Sequence, residues 1–101
     1  MNLTKIIVMN ELVPTEFYLS RNHPNPFREK TIIKYCVADR TNVKIAVFNS
    51  EGELIETLVD EEKNAGTYKV DFCAGQLPYG IYYTRMTAGQ FSDTKQMEKL
   101  K

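Results

Sequence analysis

Neither sign of charge is in excess in this chain, where thirteen Lys and Arg side chains balance thirteen Asp and Glu. Such a chain displaces few counterions from a phosphate backbone and gains little from an anionic surface, so nucleic-acid binding is excluded as a main role. One histidine is present, His23, between Asn22 and Pro24. A catalytic base needs a nucleophile and an orienting group in reach, and no residue nearby is spaced for that. His23 is expected to pack as a loop ring over the core edge. There is no G-x-S-x-G, no H-E-x-x-H and no phosphate-binding loop. The two cysteines, Cys36 and Cys73, permit one disulfide but form no zinc-type spacing. The acidic run Asp60-Glu61-Glu62, with Asp39, Glu51 and Glu53 elsewhere, lacks the spacing of a calcium loop and reads as a solvated hairpin end. No cofactor and no metal is expected. No apolar run approaches the roughly 20 residues of a membrane span. Ile6-Ile7-Val8-Met9 is too short for a secretory core and is followed by Asn10-Glu11 instead of small residues.

At 101 residues, 43% hydrophobic and 26% charged, the composition is that of one globular domain with a modest core. Its most constrained stretch is Asn22-His23-Pro24-Asn25-Pro26-Phe27. Pro24 and Pro26 fix φ and push His23 and Asn25 toward extended geometry, so the stretch is neither helix nor central strand. It reads as a rigid lead-in that places Phe27. Thr31 to Val37 then alternates, with Ile33, Tyr35 and Val37 on one face and Ile32, Lys34 and Cys36 on the other. Val43 to Asn49 repeats the pattern, Val43, Ile45 and Val47 inward and Lys44, Ala46 and Phe48 outward. Asn49 to Gly52 reads as a hairpin loop with Gly52 at positive φ. Glu53 to Val59 has a mixed period that implies a bulge or a sheet edge. Asp60 to Asn64 is expected to be exposed, with room for a short helical turn that Gly66 stops.

Thr67 to Phe72 places Tyr68, Val70 and Phe72 inward, and Leu77 plugs one end of the core. Ile81 to Thr87 and Phe91 to Leu100 form a last hairpin around Ala88-Gly89-Gln90. Phe17 to Leu19 reads as an edge segment and Ile6 to Val8 as a leading strand. Cys36 and Cys73 fall on the non-core side and meet only if their strands are neighbours. About seven short strands between turn signals, with no amphipathic helix, argue an all-β sandwich or small barrel. Outward Phe48, with Ile32 and Cys36, is expected to form an apolar patch for a neighbouring domain or a weak homodimer, unless Ile6 to Val8 covers it. The exposed sheet edges, those of the last hairpin above all, offer strand addition.

The ordered set of motifs resembles the type IX secretion C-terminal sorting domain, a family related to the Ig-like domain of the flagellar hook-cap protein. The set comprises Asn22-His23-Pro24-Asn25-Pro26-Phe27, Thr31 to Tyr35, Val43 to Phe48 with Gly52, Ala65-Gly66-Thr67-Tyr68, Gly80-Ile81-Tyr82, Ala88-Gly89 and Thr94-Lys95-Gln96-Met97. The chain departs from the family pattern at His23 and Phe48, where tyrosine is typical, at Arg28-Glu29-Lys30, at Tyr79, at Gln96, and at Glu98-Lys99, which interrupts an apolar pair. The resemblance implies an Ig-like antiparallel sandwich over residues 17–101, with residues 1–16 as an upstream linker or leading strand. It implies a non-catalytic address read by the type IX machinery at the outer membrane, joined to an upstream parent domain that carries the export signal. For the sorting signal it points to Gly80, Tyr82, Lys95, Met97, Lys99 and Lys101, and for the frame to Asn22, Pro24, Asn25, Pro26, Phe27, Gly52, Gly66 and Gly89. Replacing Lys95 and Lys99 is expected to leave folding intact and impair export. Two alternatives stay open: a structural Ig-like spacer, and a carbohydrate-binding accessory using Tyr79, Tyr83, Phe48 and Phe91.

Overall fold

The computed structural model describes residues 13–101. The leading strand expected at Ile6 to Val8 lies outside the described residues, as does any cover it would supply. Seven strands follow one another: β1 (Tyr18–Leu19), β2 (Lys30–Val37), β3 (Thr41–Asn49), β4 (Leu54–Lys63), β5 (Gly66–Cys73), β6 (Gly80–Ala88) and β7 (Phe91–Lys99). They form two antiparallel sheets, ordered β1-β2-β5 and β4-β3-β6-β7. This is the all-β, Ig-like sandwich that the resemblance implied.

Alternation decides which side chains meet between the sheets. Leu19, Ile33, Tyr35, Val37 and Phe72 come from the smaller sheet, and Val43, Ile45, Val47, Tyr82, Met86 and Met97 from the larger; all are buried. Tyr68 and Val70 share the inward face of β5 with Phe72 but are half-exposed at the sandwich flank. Leu77 packs against the core from the β5–β6 connection. Tyr35 and Tyr68, opposite one another across β2 and β5, stack with centroids 5.3 Å apart.

The mixed period of β4 is that of a bulged edge strand. Ile45 pairs with Val59 but Ala46 with Thr57, and Val47 pairs with Glu56 but Phe48 with Leu54, so Leu58 and Ile55 are each left without a partner. Each extra residue flips the alternation, which brings Ile55, Leu58 and Val59 all onto the core. Contrary to the expected loop, Asp60 to Lys63 continue β4 opposite Lys44 to Thr41. An edge strand can carry this many charges because one side faces water. Here Arg40 pairs with Glu62 at 3.0 Å and Lys63 with Glu61 at 2.7 Å. In the β3–β4 loop the Asn49 carboxamide oxygen accepts from the N–H groups of Glu51 and Glu53, both at 2.9 Å, and Gly52 takes φ +85° as expected.

Of the outward-face expectations, the faces of Ala46, Cys36 and Cys73 hold and the apolar patch around Phe48 needs correction. Ala46 lies on the outer face yet is buried, because a methyl group sits below the level of its neighbours Lys44, Phe48 and Arg85. Phe48 does not share a patch with Ile32 and Cys36, since β3 and β2 belong to different sheets whose outer faces point apart. Cys36 and Cys73 do lie on neighbouring strands, but Cys36 is opposite Thr67 and Cys73 opposite Lys30, at opposite ends of the pairing. Both thiols are free, as that separation requires.

Replacing Ile45 by Ala removes a fully buried side chain and is expected to cost about 2–5 kcal/mol. Tyr79→Ala, at an exposed ring, is expected to stay within about 0.5 kcal/mol. Urea unfolding of both variants checks the contrast, and equal losses would contradict this placement of the core.

Candidate functional site

The proline segment passes from one sheet to the other. Beyond β1, the Ser20 N–H donates to the Lys34 carbonyl at 2.9 Å, and His23 and Ile32 exchange backbone hydrogen bonds at 2.8 and 2.9 Å, so the chain still follows the edge of β2. Phe27 is already on the other sheet. Its N–H donates to the Glu98 carbonyl at 3.0 Å, and its carbonyl accepts from the Leu100 N–H at 2.7 Å, a parallel bridge to Lys99. Between these anchors the His23–Pro24 and Asn25–Pro26 peptide bonds are both cis. Prolines suit a crossing that belongs to neither ladder, since they have no N–H to satisfy.

Side chains fix both ends of the crossing. Asn22 is 5% exposed, and its Nδ2 donates to the Pro24 carbonyl and to Thr31 Oγ1, each at 3.0 Å. The Thr31 hydroxyl donates to the same carbonyl at 2.8 Å. The ring of Phe27 stands edge-on to Phe72 at 6.0 Å inside the core. Asn25 Oδ1 accepts from the Glu98 N–H at 3.0 Å, and Arg28 donates to the Lys101 carbonyl at 2.6 Å. Residues 98–101 are thereby held along one side by the proline segment. Asn25 was singled out in the sequence only as part of a motif, and Thr31 and Arg28 were not marked for these bonds. Their partners are distant in sequence and left no local signal.

Of the residues expected to carry the sorting signal, Gly80, Tyr82, Met97, Lys99 and Lys101 gather at one end of the β6–β7 hairpin, where Gly80 is opposite Lys99 and Tyr82 opposite Met97. Lys95 sits further along β7, opposite Thr84. Tyr82 and Met97 are core residues: the Tyr82 hydroxyl donates to the Pro78 carbonyl at 2.6 Å, and Met97 is fully buried with the Thr84 hydroxyl 3.1 Å from its sulfur. Lys99 is only 6% exposed, its Nζ reaching the Leu100 carbonyl at 3.3 Å. Its replacement is therefore expected to disturb packing, against the expectation that folding would be untouched. Lys95 is half-buried on the same inward side and pairs with Asp93 at 3.4 Å. Lys101 is exposed, with Nζ 5.7 Å from the centre of the Tyr79 ring.

Beside this end a groove of 540 Å³ runs between Asn25-Pro26 and β7, with Arg21, Tyr83, Lys95 and Glu98 on its walls. His23, expected over the core edge, instead points its ring to solvent while its backbone pairs with Ile32. The four aromatics considered for sugar stacking do not form one platform. Phe91 stacks on Phe17 at 5.8 Å, Phe48 and Tyr83 are cross-strand neighbours, and Tyr79 lies beyond the opposite end of β6 and β7 from Phe91. Among the described residues no three His, Cys, Asp or Glu side chains are grouped to hold a metal, and no helix is long and apolar enough to cross a membrane.

Two outcomes follow from this geometry. Asn22→Ala is expected to cost about 1–3 kcal/mol, because it removes a donor from the buried Thr31 hydroxyl and the partly buried Pro24 carbonyl. Asn22→Asp is expected to cost more at neutral pH, since it aims a carboxylate at the same acceptors. Urea midpoints rank the two, and an aspartate variant as stable as the native chain would refute the hydrogen-bond assignment. At high pH, burial holds the phenols of Tyr82 and Tyr35 above their ordinary 10.0. A raised folded-state value means stability that is complete below pH 10 and lost as pH climbs through the folded values. Thermal unfolding between pH 8 and 12 should show this loss, and Tyr82→Phe should make it shallower.

No curated protein and no solved structure matches the chain. The family model of the secretion system C-terminal sorting domain matches residues 22–99, from the buried Asn22 to the end of β7. These modules are sorting signals and not catalytic domains. The chain belongs to the secretion system C-terminal sorting domain family, whose members direct exported proteins through the type IX secretion system to the cell surface or beyond it.

Proposed function

We propose that the machinery reads the folded end of the sandwich where the proline segment meets β7 and the C-terminus, and does not read a linear peptide. The observation that carries this is the clamp on residues 98–101. Asn25, Phe27 and Arg28 all bond to that terminal stretch, so its shape exists only once the sandwich has closed. Gly80, Tyr82, Met97 and Lys99 act from within by setting the path of the last two strands. Lys101 and Lys95, with Arg21 and Glu98 on the groove walls, are the groups a receptor would touch. Residues 17–101 form the module in this reading, and residues 1–16 connect it to the parent domain that it delivers. No side-chain chemistry is required of an address of this kind.

The test is a secretion assay with the full chain behind a signal peptide and a fluorescent reporter, in a bacterium carrying type IX machinery. The native module should place the reporter outside the cell. Lys95→Ala combined with Lys101→Ala should leave the melting temperature within a few degrees and reduce export severalfold. Asn22→Asp should lower stability and export together. Normal export of the double lysine variant would remove those side chains from the signal, and normal export of a demonstrably unfolded variant would show that a linear stretch suffices.

A further inference from the structure

The two sheets have four outer edges, and three of them carry a feature that blocks strand addition. β1 is two residues long, and the backbone of residues 20–23 continues beside β2. β4 is bulged twice and bears Glu56, Asp60, Glu61 and Glu62. On β7, Asn25 and Phe27 occupy Glu98, the Asp93 carboxylate accepts from the Thr94 N–H at 2.8 Å, and Lys95 and Lys99 point inward. Short edges, bulges and inward charges are the devices that keep sheets from joining.

β5 is neither short, bulged nor covered by other described residues, and its two charges, Lys69 and Asp71, are of opposite sign and face outward, Asp71 pairing with Lys30 at 3.7 Å. Its eight residues, Gly66–Cys73, pair with β2 without a register shift, contain no proline, and turn no charge inward. Among the described residues nothing pairs with its outer side. The backbone groups exposed there follow from the ladder. Ile32 and Lys34 bond toward β1, so Ile33 and Tyr35 bond toward β5 and engage Val70 and Tyr68. Alternation then sends the N–H and carbonyl groups of Thr67, Lys69, Asp71 and Cys73 outward.

We infer that a second copy of this chain adds here, β5 to β5, antiparallel about a twofold axis at Val70. In that register Lys69 faces Asp71 of the second copy and Asp71 faces its Lys69, while Val70 meets Val70 and Tyr68 meets Phe72. The neighbouring registers, centred on Lys69 or on Asp71, set like charges opposite and are disfavoured. Lys69 also lies opposite Lys34 within its own sheet, an unfavourable pair that a facing carboxylate offsets. The three-stranded sheets of two modules become one continuous sheet, with both β5 strands at its centre.

Sedimentation velocity of the full chain, from low micromolar to millimolar concentration, tests this. The native chain should show a monomer–dimer equilibrium. Lys69→Asp and Asp71→Lys, checked for folding by circular dichroism, should each weaken it about tenfold or more, because two attractive cross-strand pairs become repulsive. Mixing the two variants restores opposite charges at both positions and should restore the dimer. If either variant unfolds, hydrogen exchange on the native chain decides instead: the amides of Lys69 and Asp71 should gain protection as concentration rises. A native chain that stays monomeric, a dimer that ignores the single reversals, or unchanged exchange at these amides overturns the inference.

Discussion

Phe27 makes one backbone hydrogen bond to Glu98 in β7 and one to Leu100 just past it, while the chain shortly before it is still bonded to β2 in the other sheet. A sandwich is held together chiefly by apolar contact, which is non-directional and tolerates sliding of one sheet over the other. A covalent crossing with hydrogen bonds at both ends does not tolerate it. The ring of Phe27 enters the core between the sheets, and the Asn22–Pro24–Thr31 cluster fixes the far end of the crossing. The short β2–β3 and β4–β5 connections also cross between the sheets, but of these crossings only this segment bonds to the C-terminal residues and fixes their position.

The same segment explains how β7 can be both the last strand of the chain and a stable edge. A terminal edge strand would ordinarily fray and would offer its free backbone groups to any passing chain. Here those groups at Glu98 and Leu100 are bonded to Asn25 and Phe27. Lys95 and Lys99 add a second barrier, because a strand docking there would have to bury their charges. Lysines that read in the sequence as a basic recognition tail are therefore also edge guards, and the two roles are compatible for Lys95, whose side chain still reaches the groove.

The sandwich was legible because strands of period two announce which face is buried, and the inward sets of β2, β3, β5 and β6 follow that period. The bulged edge at β4 was legible for the same reason, as a break in the period. What stayed hidden were facts of pairing between distant segments. Alternation gives the face of Cys36 and Cys73 but not the register that separates them, and it gives the outward side of Phe48 and Ile32 but not that they lie on different sheets. The charged run Asp60 to Lys63 read as a loop because hydropathy does not distinguish a solvated edge strand from a turn. At the candidate site the motif residues were visible one by one, while the bonds joining Asn25, Phe27 and Arg28 to the C-terminus were not.

The places where the chain departs from its family's pattern bear on what that pattern encodes. His23, Arg28, Glu29, Lys30, Tyr79, Gln96 and Glu98 are all exposed, and Phe48 is half-exposed on an outer face. Of the retained positions, Asn22, Phe27, Thr31, Ile33, Tyr35, Val43, Ile45, Val47, Tyr82 and Met97 are buried, while Pro24, Asn25, Pro26, Gly52, Gly89 and Thr94 are exposed at turns and edges. Lys99 is the one departure that is buried. It takes an apolar position with its stem and carries the ammonium to the Leu100 carbonyl, which accepts a hydrogen bond from it. The buried part of the shared motif is thus a packing pattern, which holds the crossing segment and the last hairpin in place, and its exposed prolines and glycines shape the crossing and the turns. A receptor that reads many different exported proteins gains from such an arrangement, because the buried pattern keeps the shape of the address constant while the exposed side chains vary.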